Sequence, residues 1–143
     1  MKHSIAIPAF AVALGLVSQF ALAKTCIWTG EGADGNWSTP QNWGGVDLES
    51  LPSEGDDVVL LNAGSQPVIN NDMEGLSLNS LKFQGNYPLK LTGNALSLAG
   101  EFSQEVSTGV STNALPLIFT GVKDGNISFS GSVVFECGSY SSK

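Results

Sequence analysis

The sequence predicts an all-β protein: a short right-handed parallel β-helix closed at its N-terminal end by a tryptophan-rich cap, with a β-sandwich as the alternative. Three observations point there. Apolar runs of four to eight residues, rich in Leu, Val, Ile and Phe, alternate with Gly, Asn and Ser from residue 57 onward, and no window after residue 23 carries a helical period. Large apolar residues recur two places before a glycine in Phe83-Gln84-Gly85, Leu91-Thr92-Gly93, Phe119-Thr120-Gly121 and Phe129-Ser130-Gly131, with Phe135-Glu136-Cys137-Gly138 as a looser echo. Weak repetition of this kind is a sign of stacked units. The alternation also slips: Leu76 and Leu78 share one parity and Leu81 and Phe83 the other, so a bend at Asn79-Ser80 is needed to turn both pairs inward.

Taken in order, residues 1–23 read as a secretory signal peptide. Met1-Lys2-His3 precedes the apolar run Ile5 to Phe20, and Ala21-Leu22-Ala23 forms a small-x-small cleavage site. The run is too short for a membrane span, and no later stretch approaches one. A lipid anchor needs cysteine directly after the cut, whereas Cys26 comes third. Lys24 is therefore the expected first residue of the mature chain, whose 120 residues suffice for one domain with a modest core.

Residues 24–56 hold all three tryptophans, Trp28, Trp37 and Trp43, between glycine-rich turns. The open end of a solenoid exposes unpaired backbone and a cross-section of core, and this block sits where a cover belongs. Asp57 to Leu61 reads as the first buried strand, and residues 57–143 as the coils. At about 20 to 25 residues per repeat the stretch 57–137 gives roughly three or four of them. Pro88 and Pro116 lie inside strand-like runs and must sit at bends or an edge, because proline cannot donate to a two-sided ladder.

With Lys2 removed, the mature chain carries five lysines against thirteen acidic residues, a net charge of −8, and no arginine. That balance excludes nucleic acid as a natural partner and disfavours anionic membrane surfaces. Cys26 and Cys137 lie near the two ends of the mature chain, so in an oxidising compartment they are the disulfide candidates. The competing reading is two buried thiols, since Cys137 shares a parity with Val133 and Phe135 and cysteine packs as a small hydrophobe. An elongated fold that separates the ends forbids the bridge.

Little catalytic chemistry is expected, and no cofactor or metal. His3 is the sole histidine and leaves with the signal, taking with it Ser-His-Asp triads, Cys-His dyads and histidine metal sites. Gly30-x-Gly32-x-x-Gly35 has the letters of a dinucleotide fingerprint, but that motif needs a helix after it, and Asn36-Trp37-Ser38-Thr39-Pro40 supplies none. Of the carboxylates that could pair for glycoside chemistry, Asp56, Asp57, Asp72 and Glu74, the first two are adjacent and so point to opposite faces of a strand. The oxygen-rich loops at 31–36 and 70–74 match neither the EF-hand nor the glycine-rich nonapeptide spacing. Asn36-Trp37-Ser38 and Asn126-Ile127-Ser128 have the letters of glycosylation acceptors, which a bacterial chain ordinarily leaves unmodified.

Trp28-Thr29-Gly30, Gly35-Asn36-Trp37-Ser38 and Asn42-Trp43, followed by an acidic loop and Asp56-Asp57-Val58-Val59-Leu60, resemble the start of bacterial autotransporter-type passenger domains and their relatives with autotransporter-associated β-strand repeats. The runs Gly75 to Asn86 and Leu91 to Leu98 are similar to the first coils of that family. The resemblance implies a secreted or surface-displayed β-helix acting in adhesion or as a passive stalk, without catalytic residues. Relatives usually continue through many more coils into a membrane barrel or sorting tail, and this sequence departs from them after Ser141-Ser142-Lys143. Two readings of the tryptophans follow. They form a structural cap, or Trp28, Trp37 and Trp43 stand exposed beside Asn36, Gln41 and Asn42 as a platform that stacks on glycans or other cell-surface molecules.

Overall fold

The computed structural model describes residues 22–45, 51–61, 67–121 and 127–135. The expected signal peptide, Cys137 and Asn126 lie outside them, apart from Leu22 and Ala23. Among the described residues the chain is all-β with one 3-10 turn at Pro40–Asn42, and no helix is long and apolar enough to cross a membrane.

The strands form three sets of parallel neighbours. The first runs through β1 (Thr25–Trp28), β3 (Asp57–Leu61), β6 (Ser80–Gly85), the first half of β9 (Phe102–Asn113) and the first half of β11 (Ile127–Phe135). The second joins β4 (Val68–Asn71), β7 (Lys90–Gly93) and the far ends of β9 and β11. The third joins β5 (Ser77–Leu78), β8 (Leu96–Leu98) and β10 (Leu117–Phe119). From β3 onward, paired residues in all three sets are displaced by 20 to 25 positions, as in Val58 on Leu81, Lys90 on Thr112 and Leu96 on Leu117. Among the described residues the only antiparallel pairing is β2 (Trp43–Gly45) on β1. An antiparallel β-sandwich is therefore not what the chain builds.

The bends fall where the residues demand them. Leu76 and Leu78 are buried before Asn79, and Leu81 and Phe83 after it, as the slip in alternation requires. Pro88 lies between β6 and β7, and Pro116 between β9 and β10, so neither interrupts a ladder. Glycine is needed where one turn settles on the next. Gly93 has φ +111°, and a Cβ there would lie 2.2 Å from the carbonyl oxygen of Asn71.

Inward residues follow the register: Cys26, Val58, Leu81 and Phe102 form one column, and Trp28, Leu60, Phe83 and Gln104 another. Ile69, Leu91 and Asn113 form a third. Burying each Leu or Phe removes its apolar surface from water, a gain of about 1.5–3 kcal/mol per side chain. This core is continuous with the tryptophan block.

One expectation needs revision here. The first buried strand is not Asp57–Leu61 but β1, which lies in parallel register against it inside the segment read as the cap.

Candidate functional site

The tryptophans were the leading candidates for a binding platform, and the fold turns them inward. Trp28, Trp37 and Trp43 are 1%, 0% and 2% exposed. Trp28 and Trp43 face each other across the β1–β2 pair, with ring centroids 5.1 Å apart at 85°. Trp37 meets Trp43 edge-on at 5.4 Å, and the Trp43 indole N–H donates to the Trp37 carbonyl at 2.7 Å. Edge-to-face pairs of this kind add about 0.5–1.5 kcal/mol beyond the buried area. No ring presents a face to solvent, so a glycan cannot stack on them.

Asn42, the polar member of that platform, is also fully buried. Its side-chain amide donates to the carbonyls of Asp34 at 2.9 Å and Asn36 at 3.0 Å, and its side-chain oxygen accepts from the Gly32 N–H at 2.8 Å. A Cβ on Gly32 would lie 2.5 Å from that oxygen, and one on Gly35 would lie 2.3 Å from the Val68 carbonyl. The glycine spacing that mimics a nucleotide loop thus lets the loop close on Asn42 and on β4. Asn36 completes the attachment through a parallel bridge to Asn70, whose amide donates to the Asn36 side-chain oxygen at 2.9 Å.

The carboxylates are distributed, not paired. Asp34 is exposed and accepts from the Asn36 N–H at 3.0 Å and the Thr39 hydroxyl at 2.8 Å, which hold its carboxyl below the usual range. Asp72 accepts from the backbone N–H and hydroxyl of Ser38. Asp56 is buried, whereas its neighbour Asp57 faces outward. Among the described residues no three His, Cys, Asp or Glu side chains gather as a metal would need. Cys26 is buried on β1 and its thiol donates to Asp56 at 3.8 Å.

What sequence reasoning missed is a shallow groove of about 450 Å³ on the outside of the first strand set, lined by Thr25, Asp57, Val59, Asn79, Ser80, Lys82, Gly100 and Glu101. Asp57 accepts from the Asn79 amide at 2.8 Å and the Ser80 hydroxyl at 2.5 Å, and Lys82 pairs with Glu101 at 3.4 Å. Gly100 makes the groove's corner, since a Cβ there would lie 2.6 Å from the Asn79 carbonyl. These groups can exchange hydrogen bonds with hydroxyls or amides. The phase slip at Asn79-Ser80 was its only sequence signal, because the other lining residues meet through register alone.

Fold and site together define an all-β protein of parallel strand sets with an inward tryptophan cluster and a polar outer groove. No family model matches the chain, and neither the curated proteins nor the solved structures contain a significant match.

Proposed function

We propose that the chain is a non-enzymatic, secreted or surface-exposed right-handed parallel β-helix of autotransporter-passenger type, acting in display or adhesion. The observation that supports this reading is the 20 to 25 residue displacement that recurs from β3 onward in all three parallel sets, the register expected of coils stacked along one axis. Such a stack is a stiff spacer whose outward positions form side-chain rows about 4.8 Å apart, suited to contact with an extended surface. The bacterial location and the cleaved signal are parts of the same proposal. The test is surface labelling of intact producing cells, together with adhesion of beads coated with the secreted protein to glycan-coated and protein-coated surfaces. The reading expects labelled protein outside the cytoplasm and specific bead retention; cytoplasmic protein with no retention contradicts it.

The outer groove favours glycan binding as a second reading, with the groove in place of the tryptophans. Glycan titration should then perturb backbone resonances around Ser80 and Lys82 while the buried indoles stay silent. Lys82→Ala with Asp57→Ala should abolish the perturbation.

A further inference from the structure

Asp56 is a carboxylate 2% exposed just before β3, and besides the Cys26 thiol three N–H and O–H donors point at it. Ser53 supplies its backbone N–H at 2.8 Å and its hydroxyl at 2.7 Å. The third is the backbone nitrogen of Lys24, which donates to Oδ1 at 3.1 Å. The charged and titratable groups against the carboxylate are the Lys24 ammonium at 3.9 Å and the Cys26 thiol at 3.8 Å. Lys24 is held in place independently, since its carbonyl accepts from the Asp57 N–H at 2.9 Å. Immediately before it, Leu22 is 91% exposed and Ala23 is exposed, so the Ala23–Lys24 bond joins two exposed residues to one packed against Asp56.

That bond is where the small-x-small pattern places signal cleavage. We propose that Asp56 is a receptor for the α-ammonium created by this cut, so that processing locks the first strand of the stack. A signal peptidase adds water across the Ala23–Lys24 bond: the water's oxygen leaves on Ala23 as part of the signal peptide's carboxylate, and its two hydrogens join the one already on the Lys24 nitrogen to make an ammonium. A neutral amide donor to a buried carboxylate thereby becomes a charged one at the same position, and a charge-assisted bond is roughly twice as strong.

Burial pushes the Asp56 carboxyl up, but the hydrogen bonds from Ser53 and Lys24 and the Lys24 charge outweigh it, leaving the group below the usual carboxylate range. Its contribution to stability is therefore full at neutral pH and is lost as pH falls through the lowered value. The α-ammonium behaves oppositely. Its contribution is full below the ordinary α-amino range of about 7.7–8.0 and is lost as pH rises through its raised value. The gain from processing occupies the window between the two.

The inference rests on the secretory part of the proposed function, but the two fail separately, because protein that adheres to nothing can still carry the lock. The experiment compares the secreted protein with a variant bearing one serine inserted after Ala23, which keeps every side chain and moves the charge by one residue. Mass spectrometry should find the secreted chain beginning at Lys24, and a different start overturns the proposal. At pH 7 the Lys24 form should melt about 4 °C or more above the extended form, and the difference should vanish once pH exceeds the α-amine midpoint. Competitive acetylation should place that midpoint above about 8, and Asp56→Asn should return it to the ordinary range. Equal melting of the two forms at pH 7, or an α-amine that titrates normally, overturns the proposal.

Discussion

The first described turn of the strand stack and the turn at β9 are filled differently. At the N-terminal end the columns are occupied by Trp28 and Cys26, with Trp37 and Trp43 packed around them and the short strand β2 laid antiparallel over the edge of β1. Three residues with two glycines make β2 a poor template for further pairing, which is how a parallel ladder can be ended without exposing a long edge. By β9 the Trp28 column holds Gln104 and the Ile69–Leu91 column holds Asn113, both buried, while the Cys26 column holds Phe102. Aromatic volume should therefore dominate at the first turn, while the later turns combine apolar packing around Phe102 with buried amides and close backbone approach.

The largest expected effect is at the aromatic end. Trp37→Ala should lower stability in urea unfolding by about 3–5 kcal/mol, the usual cost of emptying a large buried site. A loss under about 1 kcal/mol would mean the cluster is not packed as described. Next is Gly93→Ala, where φ +111° and the Asn71 carbonyl leave no room for a Cβ; a loss above about 2 kcal/mol is expected. Gly55→Ala, at φ +82° with open space around it, should lose only about 1–2 kcal/mol.

A pair of conservative changes separates volume from hydrogen bonding. The Trp43 indole N–H bonds the Trp37 carbonyl, while the buried Trp37 indole N–H has no partner. Trp43→Phe should thus cost about 1–3 kcal/mol more than Trp37→Phe, because only the former strands a buried carbonyl; equal losses in paired urea titrations would contradict that. At the polar end, Asn113→Ala removes its bond to the Leu115 carbonyl at 2.9 Å, and a loss of about 1–2 kcal/mol is expected, below that of Trp37→Ala.

The smallest effect is on pH. Both Asp34 and Asp56 sit below the usual carboxylate range, so their contributions hold above about pH 4 and fade as pH falls through the lowered values. Acid titration of the thermal midpoint should show a fall below pH 4 that is shallower in Asp56→Asn.

Much of the later stack was legible because each turn is marked by local chemistry. The parity slip at Asn79 and the prolines at 88 and 116 each located a bend from a few residues. The N-terminal block was less readable. TCIW is only four residues long and WGG carries two glycines, so neither scores as a strand alone; β1 exists because it pairs with β3, 32 residues away. The bridge of Asn36 to Asn70 spans 34 residues and carries no local pattern. The exposed aromatic platform failed for a related reason: composition permits both a platform and a buried cluster, and only register decides which way the rings turn. Asn42 was read as the polar member of that platform, but its buried amide closes a loop. The outer groove was invisible because its walls come from strands β1, β3 and β6 and the turn at Gly100.

The central claim is that successive turns stack in parallel at a fixed register, and cross-linking tests it most directly. Val59 and Lys82 are register partners on the outward side of β3 and β6. Cysteines at 59 and 82 should lie about 4.8 Å apart at their Cα atoms, within disulfide reach. The account predicts that mild oxidation joins Val59→Cys with Lys82→Cys and leaves Val59→Cys with Gln84→Cys open. A bridge in the slipped pair and none in the registered one would contradict it.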